Sequence, residues 1–471
     1  MGRQKVVLYN PKAVFFDLPL ALVGIGSALD DLLYEVIIVD GRLEKDPWPL
    51  LEKELEGALL FGVTTLTGAP LKDAIAITRR VKAFRADIPV VWGGWHTSLF
   101  PTDTLKDEAS VDITVQAQGE ATFAELVDCL SKGESIENVK GICYRKEGKP
   151  VQNPPRLMTD MNILPRYNYE LIEVERYFEA KGRRQLDYFS SSGCFFRCAF
   201  CADPFVFNRK WSAITPARMG EELAELKAKY KFTDLNFQDE TFFTYRPRVI
   251  EIAQTFIDRK LDISWAATMR ADQGDRLSDE DFELLKRSGL RRVLIGVESG
   301  SQEMMDWMKK DIKIEQVYRC AERCRKHDIA VVFPFIVGFP GETEANFMAT
   351  LRMAAELKAM AESFTTPIFY FKPYPGSEIT QEVVKNGYEL PANIEEWAEF
   401  DYIGSSGPWL DDERFELVER FKFYNQLAFR KTNPVFLPLK RLAKWRMDKW
   451  KFGFPIEKSL ADMLGMRQKL S

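Results

Sequence analysis

Three cysteines, Cys194, Cys198 and Cys201, stand within eight residues of one another. Three thiolates on one short loop can bind three irons of a cubane [4Fe–4S] cluster, and the fourth iron then has no ligand from this loop. Zinc is the alternative, but a structural zinc site needs a fourth Cys or His. The chain has only two histidines, His96 and His327, and both are distant in sequence. The spacing therefore predicts an iron–sulfur cluster with one open coordination position.

The cysteine segment follows the first of six apolar segments that alternate with helical patterns. The predicted strands cover residues 187–191, 234–238, 262–268, 291–297, 330–337 and 364–372. Six strand–helix units are too few for an eight-fold barrel, so they predict an open, partial (β/α)6 barrel of the TIM type with its site at the carboxyl ends of the strands. The predicted helices include 216–230, 278–288 and 313–327, and Ser278 is the expected N-cap of the second, with Asp281 three residues on.

The N-terminal part of the chain shows an earlier α/β alternation. Short, continuous apolar runs at residues 5–9, 35–40, 58–63 and 89–94 are typical of parallel strands that are buried on both faces. Strands that alternate with helices predict a doubly wound, Rossmann-like domain. A ligand of such a domain binds outside the carboxyl ends of the strands. The candidate loops are 10–19, 64–70, 93–101 and 116–122.

The C-x3-C-x2-C spacing after a first strand resembles the signature of the radical S-adenosylmethionine superfamily. Segments after later strands, at 236–242, 296–300 and 335–343, resemble that family as well. The resemblance implies that the amine and carboxylate of S-adenosylmethionine chelate the open iron. It also implies that the reduced cluster cleaves the sulfonium to give a 5′-deoxyadenosyl radical.

The same resemblance suggests roles for individual residues. Asp239 and Glu240 would contact the methionine amine, Glu298 and Ser299 the ribose, and the segment with Gly338 the adenine. A solvated acidic loop is the alternative for the first pair, and an acidic helix cap for the second. Arg270, at the end of the third strand, can pair with a carboxylate, and a structural ion pair is the alternative. Cys320 and Cys324, at i and i+4 on a predicted helix, are either half of a metal site or buried thiols.

Residues 1–400 resemble a branch of this superfamily that carries an N-terminal cobalamin-binding domain. The residues in its recurring loops are Leu18, Pro19, Gly93, Gly94, His96, Gly119 and Glu120. Many cobalamin proteins contain D-x-H-x-x-G, but here Asp17-Leu18-Pro19 stands at the matching place without a histidine. We therefore expect cobalamin to bind without a His ligand from this loop, or the domain to be vestigial. His96 either faces the corrin or is a hydrogen-bonded loop histidine.

Composition and charge define the remaining expectations. We expect a cobalamin-binding domain at 1–145, a linker at 146–182, a radical S-adenosylmethionine core at 183–402 and a basic helical extension at 403–471. The net charge is −5, yet residues 421–471 hold 12 Lys and Arg against 3 Asp and Glu, which leaves about −14 elsewhere. Cations mixed with tryptophan in this extension are typical of helices that lie on a membrane surface. Packing on the acidic body and nucleic-acid binding are the alternatives; we expect no nucleic-acid partner.

The location of the protein is predicted from its cysteines and its N-terminus. No long apolar run predicts a membrane-spanning helix. Seven cysteines make no disulfide framework, and the N-terminus lacks a signal-peptide layout, so we expect a cytoplasmic protein. The basic extension adds the expectation of a peripheral membrane contact.

The resemblance to the cobalamin branch implies an enzyme that methylates an sp3 carbon of a small-molecule or lipid substrate. The basic extension with its tryptophans suggests a hydrophobic substrate, such as a hopanoid-type lipid or a tetrapyrrole. The enzyme's electron donor would be a protein such as flavodoxin or ferredoxin. A radical cyclisation or oxidation, as in ring formation on a tetrapyrrole, is the first alternative. A non-catalytic cobalamin sensor is the second.

Overall fold

The structure, a computed structural model, describes residues 2–400, 407–429, 437–453 and 455–458. The chain divides into two units. The first contains 1–240, 258–263 and 374–401, and the second contains the described parts of 241–257, 264–373 and 402–471. The predicted boundaries of the domains, linker and extension stay predictions, and parts of the extension at 403–471 lie outside the described residues, as does most of a predicted proline-broken segment at 433–438.

A seven-stranded sheet begins the first unit. Its strands are β1 (Gln4–Asn10), β2 (Tyr34–Asp40), β3 (Ala58–Thr65), β4 (Val90–Gly94), β5 (Ile113–Val115), β6 (Ile142–Lys146) and β7 (Lys149–Gln152). The helices between them are α1 (Leu20–Ser27), α2 (Trp48–Leu55), α3 (Ala69–Phe84), α4 (Trp95–Leu99), α5 (Pro101–Asp107) and α6 (Glu120–Lys132). The order is β2-β1-β3-β4-β5-β6-β7, with the first five strands parallel and the last two antiparallel. This confirms the predicted doubly wound domain.

The direction of the strand order reverses between β1 and β3. In doubly wound sheets a crevice for ligands opens at such a point, beyond the carboxyl ends of the strands. The loops that follow these two strands are residues 11–19 and 66–68. The topology therefore places two of the predicted ligand loops side by side.

Alternate residues of the strands enter two separate cores. Val7, Phe61 and Trp92 pack with α2 and α3 on one face, whereas Leu8 and Val91 pack with α1 and α6 on the other. Because both faces are covered, the strands need apolar residues at nearly every position. This is why they appear as continuous apolar runs in the sequence.

The first unit also contains the start of the second strand series. Its elements are a 3-10 turn (Tyr169–Leu171), α7 (Val174–Lys181), β8 (Gln185–Tyr188), β9 (Ser191–Gly193), α8 (Asp203–Val206), β10 (Trp211–Ala213), α9 (Pro216–Tyr230) and β11 (Asp234–Phe237). β8 and β11 are parallel, and β9 and β10 form an antiparallel pair that the sequence did not predict. Two later helices, with bounds Glu378–Lys385 and Ile394–Ala398 and numbered α16 and α17 in chain order, complete this unit.

The second unit holds the rest of the strand series. Its helices are α10 (Arg246–Asp258), α11 (Ala271–Asp275), α12 (Asp279–Arg287), α13 (Gln302–Trp307), α14 (Ile314–Lys326), α15 (Glu344–Met360), α18 (Asp412–Phe429) and α19 (Leu437–Lys449). Its strands are β12 (Ser264–Met269), β13 (Leu290–Ile295), β14 (Ala330–Val332), β15 (Phe335–Val337), β16 (Phe364–Thr365) and β17 (Ile368–Tyr370). β12, β13, β14 and β16 are parallel neighbours in that order, and β15 pairs in parallel with β17.

Two predicted strands, 330–337 and 364–372, are each divided in two. Pro334 and Pro367 stand at the breaks, where a proline has no N–H to donate to a neighbouring strand. The helix predictions were closer. The helix at 216–230 has the predicted bounds, with Thr215 as its N-cap, and Ser278 and Asp281 form a reciprocal cap at the start of α12. In the parts of the chain described, no helix is long and apolar enough to cross a bilayer.

We predict that Gly94→Ala destabilises the protein by about 3 kcal/mol. Gly94 has φ 98° and ψ −166°, a backbone region that only glycine adopts freely, and an added Cβ would lie 2.6 Å from the Thr65 carbonyl oxygen. Thermal unfolding of Gly133→Ala is the control, because Gly133 also has positive φ but has no atom within 4 Å of an added Cβ. The control should lose about 1 kcal/mol; equal losses in the two variants would contradict the steric argument.

Candidate functional site

The cysteine loop lies between β9 and α8 in the first unit. Gly193 begins it at φ 82°, where an added Cβ would lie 2.4 Å from the Lys210 carbonyl oxygen on the paired segment before β10. Glycine is therefore needed for the chain to leave β9 in this direction. The far side of the loop is fixed as well, because Ile379 N donates to the Ala199 carbonyl oxygen at 2.9 Å. The three cysteines are thus carried by a segment that is anchored at both sides.

Asp239 anchors the chain just before this loop. Its Oδ1 accepts from Ser190 N at 2.8 Å, and its Oδ2 accepts from Ser190 Oγ at 2.6 Å and from Ser191 Oγ at 2.5 Å. Only 2% of Asp239 is exposed. Because a buried carboxylate needs such donors, its contacts in this structure support a positioning role for this residue.

Glu240, the next residue, has a different environment. Its Oε2 accepts from Gly193 N at 3.1 Å, and the side chain lines a large cavity. Burial, with a further contribution from Asp203 and Asp239, raises the pKa of Glu240 to about 8. Burial also raises the pKa of Asp203 to about 6. Two desolvated carboxylic acids near each other favour the binding of a cation, which would stabilise their charged forms.

The thiols of the loop are neighbours, although they do not converge on one point. The pKa of Cys201 is raised well above its usual range, mainly by burial, and Cys198 and Cys194 are close enough to add to the effect. Within the described residues, no three His, Cys, Asp or Glu side chains could hold a single metal ion. A cubane cluster places each cysteine on a different iron, so the donor set fits such a cluster better than one zinc ion.

A cavity of about 940 Å³ connects the Rossmann-like sheet with the segment before the cysteine loop. Its walls include Gly93, Gly94, Gly119 and Glu120, all of them predicted. They also include Phe189, Ser192 and Glu240, which lie beyond β8 and β11. The absence of side chains at the glycines leaves room for a broad ligand against the strand ends.

A second cavity, of about 830 Å³, lies at the β1/β3 switch point and shares part of its wall with the first. Leu18 and Pro19, both predicted, line it together with Arg42 and Trp95. Asp187 fixes the loop that carries Leu18, because its Oδ2 accepts from Leu18 N at 2.8 Å and pairs with Lys181.

His96, unlike Gly93 and Gly94, does not line the cavity beside the strand ends. It is 1% exposed, its Nδ1 is 3.1 Å from Thr67 Oγ1, and its ring packs on Phe100. Burial lowers the pKa of His96 to about 4, so the ring is neutral. It lines neither of the two cavities, and its contacts agree with the alternative of a hydrogen-bonded loop histidine.

Arg270 and Glu298, two predicted residues of the second unit, belong to a buried chain of polar contacts. Arg270 donates to Asp272 Oδ1 at 2.9 Å and to the Lys310 carbonyl oxygen at 2.5 Å, and Lys310 Nζ donates to Glu298 Oε1 at 2.7 Å. Glu298 itself has φ 67°, which is uncommon for a residue with a side chain. The contacts of Arg270 agree with the alternative of a structural ion pair.

The other predicted residues of this unit also have internal partners. The Ser299 hydroxyl is fully buried, lies 3.1 Å from Thr350 Oγ1 and accepts from Ser301 N. Gly338 has φ 80° and donates its N–H to Glu342 Oε2 at 2.7 Å. Cys320 and Cys324 are fully buried on α14, and the pKa of Cys324 is raised well above its usual range, first by its hydrogen bond to Cys320 and also by burial. These observations agree with the alternative that Cys320 and Cys324 are buried thiols.

Several cavity residues were not predicted. Arg42 follows β2, and Thr64 lies near the end of β3, within the segment 64–70 that the sequence predicts as a ligand loop. Met161 and Tyr167 lie in the predicted linker, where no periodic pattern gave a signal. Only their position between two recognisable domains could have suggested that they contact both.

Two family descriptions match this chain. Residues 6–127 match the B12 binding domain, and residues 188–354 match the radical SAM superfamily. The chain belongs to the radical S-adenosylmethionine enzymes that carry a B12-binding domain. Its cofactors are accordingly a [4Fe–4S] cluster, S-adenosylmethionine and cobalamin.

The chain is similar in sequence to known methyltransferases and cyclases, and similar in fold to solved structures. An uncharacterised methyltransferase from Pyrococcus horikoshii is 29% identical over 388 residues, which are 82% of each chain. An anaerobic magnesium-protoporphyrin IX monomethyl ester cyclase from Rubrivivax gelatinosus is 27% identical, over 69% of this chain and 58% of its own length. The solved structure of the radical S-adenosylmethionine methyltransferase TsrM from Kitasatospora setae, with cobalamin and a [4Fe–4S] cluster bound, superposes with a TM-score of 0.73 at 18% identity over 93% of this chain and 90% of that one. It shows the same fold.

We predict that Asp239→Asn lowers thermal stability and iron uptake together. An amide nitrogen cannot accept from the hydroxyls that now reach Oδ2, so at least one buried donor loses its partner, at about 1–3 kcal/mol. Asp103→Asn is the control, because Asp103 forms a mostly exposed ion pair with Lys106. Wild-type melting and full iron content in Asp239→Asn would show that the anchor is dispensable.

Proposed function

We propose that this enzyme methylates an unactivated carbon of a small, hydrophobic substrate. The observation that carries the proposal is the 940 Å³ cavity, whose wall combines the glycines of the B12-type sheet with residues beside the cysteine loop. A ligand in this cavity would therefore lie beside both the B12-type sheet and the cysteine loop, which would bring the two cofactors within reach of one substrate. When bound, the cofactors supply a radical that removes a hydrogen atom from carbon and a methyl group that replaces it.

Cys194, Cys198 and Cys201 are the proposed cluster ligands. Their shared loop and its anchors at Gly193 and Ala199 support this assignment. Phe195 and Phe196, with ring centroids 4.5 Å apart, cover part of the loop. Aromatic side chains there would exclude water from the cluster and so protect a reactive radical.

Glu240 is the proposed contact for the positively charged end of S-adenosylmethionine. Burial and the nearby carboxylates of Asp203 and Asp239 raise the pKa of Glu240, so a cationic ligand beside it would stabilise its charged form. Asp239 retains its anchoring role in this proposal, so the two adjacent carboxylates do different work. Arg270, Glu298, Ser299 and the Gly338 segment remain proposals, from the family resemblance, for contacts to the rest of this ligand.

Cobalamin is proposed to occupy the two cavities of the first unit. Gly93, Gly94 and Gly119 would let its broad ring approach the strand ends, and Leu18 and Pro19 would form the neighbouring wall. His96 lines neither cavity, and the Asp17-Leu18-Pro19 segment contains no histidine. Cobalamin would therefore bind without a His ligand from either place. The protein's task is to place these groups and exclude water.

A radical cyclisation or oxidation is the second candidate function. The similarity to a cyclase that acts on magnesium-protoporphyrin monomethyl ester supports it, although this chain spans only 58% of that protein's length. The similarity to the Pyrococcus horikoshii methyltransferase is higher and covers 82% of both chains, which favours methylation. In either case the reaction needs an electron donor, for which we propose a flavodoxin or a ferredoxin.

The decisive experiment combines reconstitution with product mass. The enzyme is purified without oxygen, its cluster and cobalamin are restored, and it is incubated with S-adenosylmethionine, a reductant and metabolite extract. A product heavier by one methylene unit, about 14 Da, is expected for methylation. A product that has lost hydrogens would instead show the cyclisation, and no cleavage of S-adenosylmethionine would contradict both functions.

Cys198→Ala tests the cluster assignment. It should abolish the cleavage of S-adenosylmethionine and leave cobalamin binding unchanged, because its sulfur would hold only the cluster. Cys129→Ala is the matched control, since Cys129 lies on α6 and outside the loop. If cleavage survives in Cys198→Ala, the assignment is wrong.

We further propose that α19 rests on the surface of an anionic membrane. Three apolar residues of this helix, Leu437, Leu442 and Trp445, are 42%, 39% and 47% exposed, and Arg441, Lys444 and Lys449 are exposed among them. Ala443 and Met447 form its buried side. Large apolar and cationic side chains on one exposed face suit the boundary between lipid head groups and acyl chains. A hydrophobic substrate could then be taken directly from the membrane.

Vesicle sedimentation tests this contact. Reversing the charges in Arg441→Glu/Lys444→Glu should weaken binding to vesicles with phosphatidylserine at least about tenfold, since each basic residue near such a surface contributes about 1 kcal/mol. Lys140→Glu/Lys149→Glu changes the charge equally at exposed sites elsewhere and should have little effect. Equal binding of wild type to vesicles with and without phosphatidylserine would contradict the proposal.

A further inference from the structure

Residues 156–168, which we call the strap, lie between the two segments that match known families. The strap follows β7, has no helix or strand of its own, and ends at the 3-10 turn Tyr169–Leu171. Two of its side chains, Met161 and Tyr167, nevertheless line the 940 Å³ cavity. It is therefore part of a binding wall as well as a connection.

Polar contacts fasten the strap to the start of α6. Thr159 N donates to Gln118 Oε1 at 2.6 Å, Arg156 Nε donates to Thr122 Oγ1 at 2.8 Å, and Tyr167 OH donates to Glu120 Oε1 at 3.0 Å. Gln118 and Glu120 line the same cavity. Each contact joins side chains or single backbone groups, so the strap can separate from α6 without breaking a strand or a helix.

The opposite side of the strap is also held. Met161 N donates to Ser212 Oγ at 3.0 Å, and Arg218 donates to the Met161 carbonyl oxygen at 2.8 Å. These contacts tie Met161 to β10 and α9. Next to Tyr167, Arg166 pairs with Glu221 and Glu225 of α9, each at 3.1 Å. This side of the strap is therefore held near both Met161 and Tyr167, and the bond from Tyr167 to Glu120 closes the other side over the cavity.

Gly24 of α1 makes room for this closure. A Cβ at Gly24 would lie 2.9 Å from the Tyr167 hydroxyl oxygen and 3.3 Å from Glu120 Oε1. Burial and the neighbouring Glu120 raise the pKa of Tyr167 well above its usual value, so the hydroxyl keeps its proton and can donate. The phenol ring thus fits between α1 and α6 at the rim of the cavity.

We propose that the strap retains cobalamin by closing over its nucleotide tail, and that the Tyr167–Glu120 hydrogen bond controls the release of the cofactor. This inference rests on the proposed binding of cobalamin in the cavity. Ile25, Phe123 and Val115 line the same cavity as Tyr167 and give it apolar surfaces suited to the flat aromatic base of the tail. A corrinoid without the tail would have nothing beneath the strap.

Cobinamide, a corrinoid that lacks the nucleotide, provides the test. Each corrinoid is bound to the full chain, and its release into an excess of competing binder is followed by its visible spectrum. Wild type should release cobinamide faster than cobalamin. Tyr167→Phe should accelerate the release of cobalamin about tenfold, as expected for the loss of one hydrogen bond to a carboxylate, and leave the release of cobinamide unchanged.

Tyr34→Phe is the matched control. It removes a comparable hydrogen bond, from Tyr34 OH on β2 to Asp128 Oδ1 on α6 at 2.7 Å, and neither residue lines the cavity. Neither corrinoid should leave this variant faster. Gly24→Ala is a second route to the same result, because its methyl group would displace the Tyr167 ring while Tyr167 itself is retained.

The outcomes separate the inference from the function on which it rests. Wild-type release of both corrinoids from Tyr167→Phe and Gly24→Ala would overturn the role of the strap and leave cobalamin binding intact. Equal acceleration of both corrinoids would also overturn it, because the effect would then act on the corrin. If wild type binds neither corrinoid, the proposed cobalamin site itself is wrong.

Discussion

Two buried carboxylates at neighbouring strand ends hold the candidate site in place. Asp187 on β8 accepts from Leu18 N and so fixes the loop after β1, while Asp239 after β11 accepts from Ser190 and Ser191 and so fixes the approach to the cysteine loop. Burying a carboxylate is costly unless donors surround it, and here the donors are the loops that must be positioned. The loops and the acids therefore stabilise one another.

This arrangement separates positioning from chemistry. Asp239 uses both oxygens for protein donors, whereas Glu240 lines the cavity with a pKa of about 8 and accepts from backbone N–H groups, including that of Gly193. A carboxylate whose charged form is destabilised by burial is stabilised most when a cationic ligand binds beside it. Adjacent residues in the sequence thus divide the work of holding the loop and receiving the ligand, because alternate side chains after a strand point in different directions.

Much of this architecture could be predicted from sequence because it depends on local patterns. Buried parallel strands give continuous apolar runs, and α12 begins where Ser278 and Asp281 form a cap. The cysteine spacing and the loops with Gly93, Gly94 and Gly119 could be found for the same reason. The roles of Arg270 and Ser299 could not be predicted from sequence. Arg270 bonds to Lys310, 40 residues away in the chain, and Ser299 bonds to Thr350, 51 residues away. Nothing in a local pattern distinguishes an arginine that awaits a ligand from one that already has an internal partner.

The predicted linker at 146–182 shows most clearly what local sequence patterns cannot predict. A segment without periodicity was predicted only to connect two domains, yet Tyr167 reaches the rim of a cavity formed by both. Its position depends on Gly24, 143 residues earlier, having no side chain, and on Glu120 offering an acceptor. Irregular backbone can follow such a path because its polar groups bond to whichever side chains lie along it, rather than to a repeating partner. The absence of a sequence pattern in this linker is therefore what allows it to contribute to a site that neither domain completes alone.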